Sequence, residues 1–121
     1  MEWKLTSDRP IWLQLKEQIT QRIVTGVYPM GSRLPSVRDL ASETGVNPNT
    51  MQRALAELEN DGLAESNRTT GRMVTTDAAI IEVVRSALAQ QCIDGFYEGM
   101  EQLGYTQEAA RKKLEEQSNG E

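Results

Sequence analysis

The stretch from Leu34 to Gly62 constrains the fold more than any other part of the chain: Leu-Pro-Ser-Val-Arg-Asp-Leu-Ala-Ser-Glu-Thr-Gly-Val-Asn-Pro-Asn-Thr-Met-Gln-Arg-Ala-Leu-Ala-Glu-Leu-Glu-Asn-Asp-Gly. Ser36 can begin a helix by accepting from a free first-turn amide, and Asp39 three positions on resembles the second half of a capping box. Val37, Leu40 and Ala41 supply its inward side. Gly45 suits the left-handed conformation that ends a helix, and Ala41, four residues earlier, is small enough to let a second helix approach. Asn47 then caps that second helix and Pro48 fits its first position, where no amide hydrogen is needed. Met51, Leu55 and Leu58 fall on one face of it; Asn49, Gln52, Arg53 and Ala56 fall on the opposite face. Gly62 closes it. Two short helices joined by a glycine turn, the second polar on its outer side, form a helix-turn-helix, which sets a helix into the DNA major groove.

The flanking segments extend this unit. Pro10 to Thr25 predicts a preceding helix, with Ile11, Leu15, Ile19 and Ile23 repeating every four residues, Trp12 widening the stripe and Gly26 just past the end. Tyr28 to Ser32 is turn material, and Trp3, Trp12 and Tyr28 are expected in the core. Leu63–Ser66 and Met73–Thr76 are short strand candidates on either side of a polar tip, Asn67–Arg72. A helix-turn-helix followed by a β-hairpin is a winged helix. From Asp77 the pattern is helical again: Ile81, Val84, Leu88, Cys92, Phe96, Gly99 and Leu103 recur at steps of three and four. Gly104 is expected to end this helix, Thr106 to cap a last one carrying Ala109, Ala110 and Leu114, and residues 118–121 to fray.

The predicted fold class is therefore mainly α with a small β-hairpin. A winged helix-turn-helix DNA-binding domain covers residues 1–76, and a short C-terminal helical dimerisation region covers 77–121. The apolar stripe from Ile81 to Leu103 is longer than a domain of about 75 residues can cover, so self-association into a homodimer is preferred over packing on its own winged helix.

The 121 residues contain no histidine and one cysteine. Lacking histidine, the chain has neither the usual general base nor the commonest metal ligand, and its carboxylates fall in no acid/base or metal-loop spacing. An enzyme is not expected, nor a metal or cofactor. Cys92 has no partner for an internal disulfide, and as part of an apolar stripe it is expected as a small buried hydrophobe rather than a redox sensor. The first residues lack the apolar stretch of a signal peptide, and no apolar run approaches the roughly 20 residues that span a bilayer. A cytoplasmic protein without a membrane is expected. Glu98, Glu101, Glu108, Glu115 and Glu116 are expected to form a solvated face.

The net charge of −5 at first argues against nucleic acid, but its distribution does not. Residues 1–76 hold nine basic and nine acidic side chains, while residues 77–121 hold four basic and nine acidic. The acidity belongs to the C-terminal part. The first part is neutral, and its arginines from Arg33 onward lie in the segment suspected of meeting DNA.

Pro10-Ile-Trp-Leu-Gln-Leu, Gly31-Ser-Arg-Leu-Pro-Ser-Val-Arg-Asp-Leu-Ala and Gly45-Val-Asn-Pro-Asn-Thr-Met-Gln-Arg-Ala-Leu-Ala-Glu-Leu resemble, in order and spacing, the GntR family of bacterial transcription regulators. The resemblance covers about residues 9–76, and the short helical C-terminal region resembles the YtrA-type subfamily. It implies a winged-helix dimer that binds a palindromic operator, usually to repress. It further implies DNA contacts at Ser36 and Arg38, at Asn47, Asn49, Thr50, Gln52 and Arg53, and at Gly71 in the wing. Two positions depart from the family pattern: Thr69 stands where a glycine is common and Met73 where an aromatic is.

The residues themselves extend the candidate DNA-binding set to Arg33, Arg68, Thr70 and Arg72. Arg38 can pair with guanine, or lie solvated beside Asp39 or Glu43. Asn49, Thr50 and Gln52 are short hydrogen-bonding side chains near a helix start, where Lys and Glu would be usual on a plain surface helix. Arg53 fits phosphate binding or a salt bridge with Glu57 equally well. Arg68 and Arg72 flank the expected hairpin tip, where phosphate attraction outweighs base contact. The expected partners are a double-stranded DNA operator and a second copy of the chain. An unidentified small-molecule effector stays open, because residues 77–121 define no pocket. The rival reading is a winged helix that recognises a protein, as an adaptor or assembly module without DNA binding.

Overall fold

Hydrophobic periodicity places three helices first, in the computed structural model: α1 (Ile11–Val24), α2 (Val37–Thr44) and α3 (Pro48–Asn60). A hairpin of β1 (Ala64–Asn67) and β2 (Gly71–Val74) follows, then α4 (Ala78–Gln102) and α5 (Gln107–Asn119). The structure describes residues 1–119, so the last two residues of the end expected to fray lie outside it. The chain divides into two compact units, one running from Met1 to Val84 and the other beginning at Arg85.

In the first unit, α1 and α2 both pack on α3, and β1 packs beside them on α3. The core joins Leu15, Ile19 and Ile23 of α1 to Leu40 and Ala41 of α2 and to Met51, Ala54, Leu55 and Leu58 of α3. Leu34, Leu63, Ala64 and Val74 complete it. Full burial of each large aliphatic side chain contributes about 1.5–3 kcal/mol. The caps fall where the sequence predicts, except that the capping box at α2 is half formed: Ser36 accepts, while the Asp39 carboxylate takes no bond back from the Ser36 amide. Ser36 Oγ accepts from the Asp39 amide at 3.1 Å, Gly45 takes φ +72° beyond α2, and the Asn47 side chain accepts from the Asn49 amide at 2.7 Å.

An unforeseen device holds the N-terminal segment. The buried Gln14 side chain accepts from the Thr6 amide at 2.8 Å and donates to the Thr6 and Arg9 carbonyls, each also at 2.8 Å. One turn on, Gln18 accepts from the Lys4 amide and donates to its carbonyl, at 2.9 and 2.7 Å. Two side-chain amides thus stand in for a neighbouring strand. Trp3 and Tyr28 pack against the core as expected, with the Arg22 guanidinium 3.6 Å from the Trp3 ring and the Trp3 indole donating to Glu43 of α2. Burial raises the Tyr28 phenol above its ordinary pKa, Glu43 adding to the shift and Arg22 opposing it. Trp12 departs from expectation: it is half-buried and outside the core cluster.

The hairpin pairs Ala64 with Val74, Glu65 with Met73, Ser66 with Arg72 and Asn67 with Gly71. The strands are thus displaced from the expected Leu63–Ser66 and Met73–Thr76, and the turn shortens to residues 68–70. Asn67 is the reason. Its side-chain oxygen accepts from the Thr69 and Thr70 amides at 2.9 and 3.3 Å, closing the turn inside the expected tip. Ser32 to Leu34 run along the other edge of β2: the Leu34 amide donates to the Arg72 carbonyl and the Val74 amide to the Ser32 carbonyl, at 2.9 and 2.8 Å.

Asp77 caps α4, accepting from the Ala79 and Ile80 amides. Ile80, Ile81 and Val84 pack against the winged-helix core, so this unit runs past residue 76 into α4. In the second unit Gly104, at φ +91°, follows the end of α4, and Thr106 accepts from the Ala109 amide to begin α5. Ala110 is fully buried there. Within α4 no residue reaches full burial.

Gln14→Ala removes the partners of the Thr6 amide and of two carbonyls. It should lower stability by about 1–3 kcal/mol and speed amide exchange at Thr6 well beyond that at Leu55, as hydrogen-exchange mass spectrometry or NMR will read.

Candidate nucleic-acid interface

Burial of Met51, Ala54, Leu55 and Leu58 turns the opposite face of α3 outward. Asn49, Gln52 and Arg53 on that face are exposed, and Thr50 is half-buried. Asn47 is exposed at the start of the helix, and its side chain uses its oxygen for the cap, leaving its amide hydrogens toward solvent. The first turn of α3 also presents backbone donors with no partner inside the helix, which favour an anion such as a phosphate.

Arg38 lies in the first turn of α2, exposed, and among the described residues no carboxylate lies within salt-bridge distance of it. Glu43, one of its candidate partners, instead accepts from the Trp3 indole. A shallow apolar groove runs from Val37 and Arg38 past Ala41 and Gly45 to Pro48, so the starts of the two helices border one surface. Ser36 is exposed beside them with its hydroxyl engaged in the cap.

The wing supplies a second cluster. Arg68 and Thr70 are exposed in the turn, and Gly71 follows at φ +84°. A side chain at Gly71 would be strained by that backbone and would meet the Arg33 guanidinium 3.4 Å from its Cβ. The Arg33 guanidinium, on an exposed side chain, therefore lies beside Gly71 of the wing. The polar turn and the Arg33 edge are brought together by the bridge between Arg33 and Met73.

Two of the arginines have partners that spacing did not reveal. The Arg53 guanidinium sits 4.1 Å from the Trp12 ring centroid, so neither phosphate nor Glu57 is needed to hold it. Stacking leaves the guanidinium N–H edges available. Arg72 belongs to β2 rather than to the tip, and its Nε donates to Glu59 at 2.9 Å. Trp12, Glu59 and Asn67 are the residues that sequence reasoning passed over. Asn67 preceding the hairpin turn was a readable signal, whereas Trp12 and Glu59 meet their arginines across elements distant in sequence.

This geometry defines a winged helix-turn-helix whose polar helix face, second-helix start and wing are all exposed. Residues 12–74 match the family of bacterial regulatory proteins described as the gntR family. A regulator of the helix-turn-helix type from Bacillus subtilis, YhcF, is 38% identical over 89% of this chain and 89% of its own length. The transcriptional repressor YtrA of the same organism is 35% identical over 78% of each chain. Among solved structures, a GntR family regulator from Listeria monocytogenes superposes with a TM-score of 0.84, at 37% identity over 93% of this chain and 98% of that one. The DNA-binding domain of AraR, solved in complex with its operator ORE1, gives 0.53 at 27% identity, over 62% of this chain and 94% of that one. The chain belongs to the GntR family: it is a DNA-binding transcriptional regulator and not an enzyme. No helix among the described residues is long and apolar enough to cross a membrane.

Asn47→Ala should cost about 0.5–2 kcal/mol of stability by leaving the start of α3 uncapped. Urea denaturation monitored by circular dichroism measures it, and an unchanged midpoint would deny the cap any energetic role.

Proposed function

We propose that this regulator acts as a homodimeric repressor in the cytoplasm, seated on a two-fold symmetric operator. The observation that carries the DNA half of this reading is the pair of helix starts bordering one surface, with Arg38 unpaired beside the outer face of α3. Arg38, Asn49, Thr50 and Gln52 select bases. Ser36, Asn47 and the amides of the α3 start hold phosphates, joined by Arg53 on its Trp12 platform. In the wing Arg33, Arg68, Thr70 and Gly71 line the backbone or minor groove, while Arg72 belongs to the candidate set through its place in the same hairpin. The AraR domain bound to its operator and the repressor YtrA support the operator and the sign of regulation.

The dimer half rests on α4. Its apolar residues surround the helix instead of forming one stripe: besides Ile81, Val84, Leu88, Phe96 and the small positions Cys92 and Gly99, they include Val83 and Ile93. Ile81 and Val84 are engaged by the winged-helix core. Val83, Ile93, Leu103 and Leu114 remain 69, 48, 74 and 51% exposed. A helix apolar on most sides is stable in water only when buried, and a second copy supplies that cover. Cys92, expected as a small buried hydrophobe, is instead exposed in the single chain, and on this reading only a second copy would cover it. An effector remains a further element of the reading, with no residue assigned to it.

Arg38→Ala should weaken operator binding by about 1–3 kcal/mol and relax one base position, whereas Arg68→Ala should weaken all sequences alike and lower the salt slope by about one. Selection from random duplexes followed by titration at several salt concentrations separates the two. Binding by Arg38→Ala equal to wild type would remove the base-reading role. Leu103→Asp, at a position open enough to leave the monomer fold intact, should shift sedimentation toward monomer and weaken operator binding. A wild-type protein monomeric at micromolar concentration would overturn the dimer.

A further inference from the structure

Glu59 lies in the last turn of α3, and a single oxygen of its carboxylate joins both strands of the wing. Arg72 Nε of β2 donates to Oε1 at 2.9 Å, and the Ser66 hydroxyl of β1 donates to the same atom. Ser66 and Arg72 face each other in the hairpin register, so the carboxylate grips one cross-strand pair. The contact is partly shielded: the Arg72 and Glu59 side chains are 16 and 28% exposed. Neither residue has another ion-pair partner among the described residues.

We propose that Glu59, through Arg72 and Ser66, is a positioning residue that fixes the angle of the wing against the recognition helix. The inference rests on the reading that wing and α3 touch the operator together. A hairpin of four-residue strands has little rigidity of its own. Its base is packed on α3 through the buried Ala64 and Val74, its turn is stiffened by Asn67 and its outer edge by residues 32–34, but none of these ties the strands beyond that base to α3. The Glu59 carboxylate does, by a charge-assisted hydrogen bond from one strand and a hydroxyl from the other. Arg72 then acts on DNA through Glu59 rather than on a phosphate directly. The two roles predict opposite signs. If Arg72 contacted phosphate, removing Glu59 would free the guanidinium and remove a repelling charge, and affinity would rise. If the two form a strut, removing either loosens the wing and affinity falls.

The test uses the full chain and the inverted repeat selected by wild-type protein from random duplexes. Glu59→Ala, Arg72→Ala and the double variant should each weaken binding by a similar roughly three- to tenfold, the double adding little, as residues within one network behave. Glu59→Gln retains an oxygen acceptor for both donors and should recover most of the loss, which a purely electrostatic role would not allow. Residual dipolar couplings of the amides of residues 65–73 in the free protein supply an independent readout. They should report a reoriented or averaged hairpin in Glu59→Ala with α3 unchanged. Tighter binding by Glu59→Ala, additive losses, or unchanged couplings would each overturn the strut. Couplings that change while affinity does not would keep the clamp but remove the wing from the DNA, and with it the proposed role. Loss of binding in Arg38→Ala alongside normal binding in Glu59→Ala would uphold the operator reading and discard this one.

Discussion

Met51, Ala54, Leu55 and Leu58 are buried to the last atom, and their burial fixes the rotation of α3 about its own axis. Turning the helix by one residue, about 100°, would bring Gln52 or Arg53 toward the space now held by aliphatic carbon and expose the leucines. With each large side chain contributing about 1.5–3 kcal/mol, that rotation exceeds what any surface contact could offset. The outward direction of Asn49, Gln52 and Arg53 is thus a consequence of the core. The same logic applies at α2, where Leu40 and Ala41 are buried and Arg38 is left facing solvent.

Around that core the connections are hydrogen-bonded by unlike means. The N-terminal segment is attached to α1 by the amides of Gln14 and Gln18, which satisfy backbone groups as a strand would. The wing is attached at its base by the buried Ala64 and Val74, along one edge by backbone pairing to residues 32–34, and to the end of α3 by the Glu59 carboxylate. Among the described residues no buried side-chain polar atom is left without a partner. A small domain has little apolar area to spend on unsatisfied groups, so these polar attachments let short segments order without enlarging the core.

What could be read in the sequence was local. Ser36, Gly45, Asn47 and Pro48 announce helix ends because each acts on backbone groups within a few residues of itself. The α1 and α3 stripes are legible because core-facing positions repeat with the helical period. The hairpin is legible but displaced, since the sequence pattern places Asn67 in the polar tip whereas its side chain closes the turn. Trp12 looked like one more member of the α1 stripe, yet it holds Arg53, and Arg72 looked like a tip arginine, yet it holds Glu59. Those pairs lie 41 and 13 residues apart, and no spacing rule relates them. The spacing in α4 predicts one apolar face, whereas its start is absorbed by the winged-helix core and its remaining apolar residues encircle the helix.

The pairing of charges resolves the tension between a neutral winged helix and an anionic partner. Acidic residues cluster at the end of α3, at Glu57 and Glu59 and at Asp61 just beyond it, away from the end that carries Asn47 and Asn49. Glu59 is bound to Arg72, Asp61 to Lys16 at 2.9 Å, and Glu17 to Arg9 at 2.7 Å. Arg33, Arg38 and Arg68 take no part in such pairs among the described residues. Coulomb interactions fall off over roughly 8 Å at physiological salt, so a phosphate beside these arginines feels them and not the net charge of the chain. A weak overall field leaves little attraction for arbitrary DNA, and on the proposed reading affinity then depends on the few places where unpaired arginine, helix start and polar side chain would meet the duplex together. For a regulator that must leave most of the genome unoccupied, a neutral domain with a locally basic surface is the physically consistent solution.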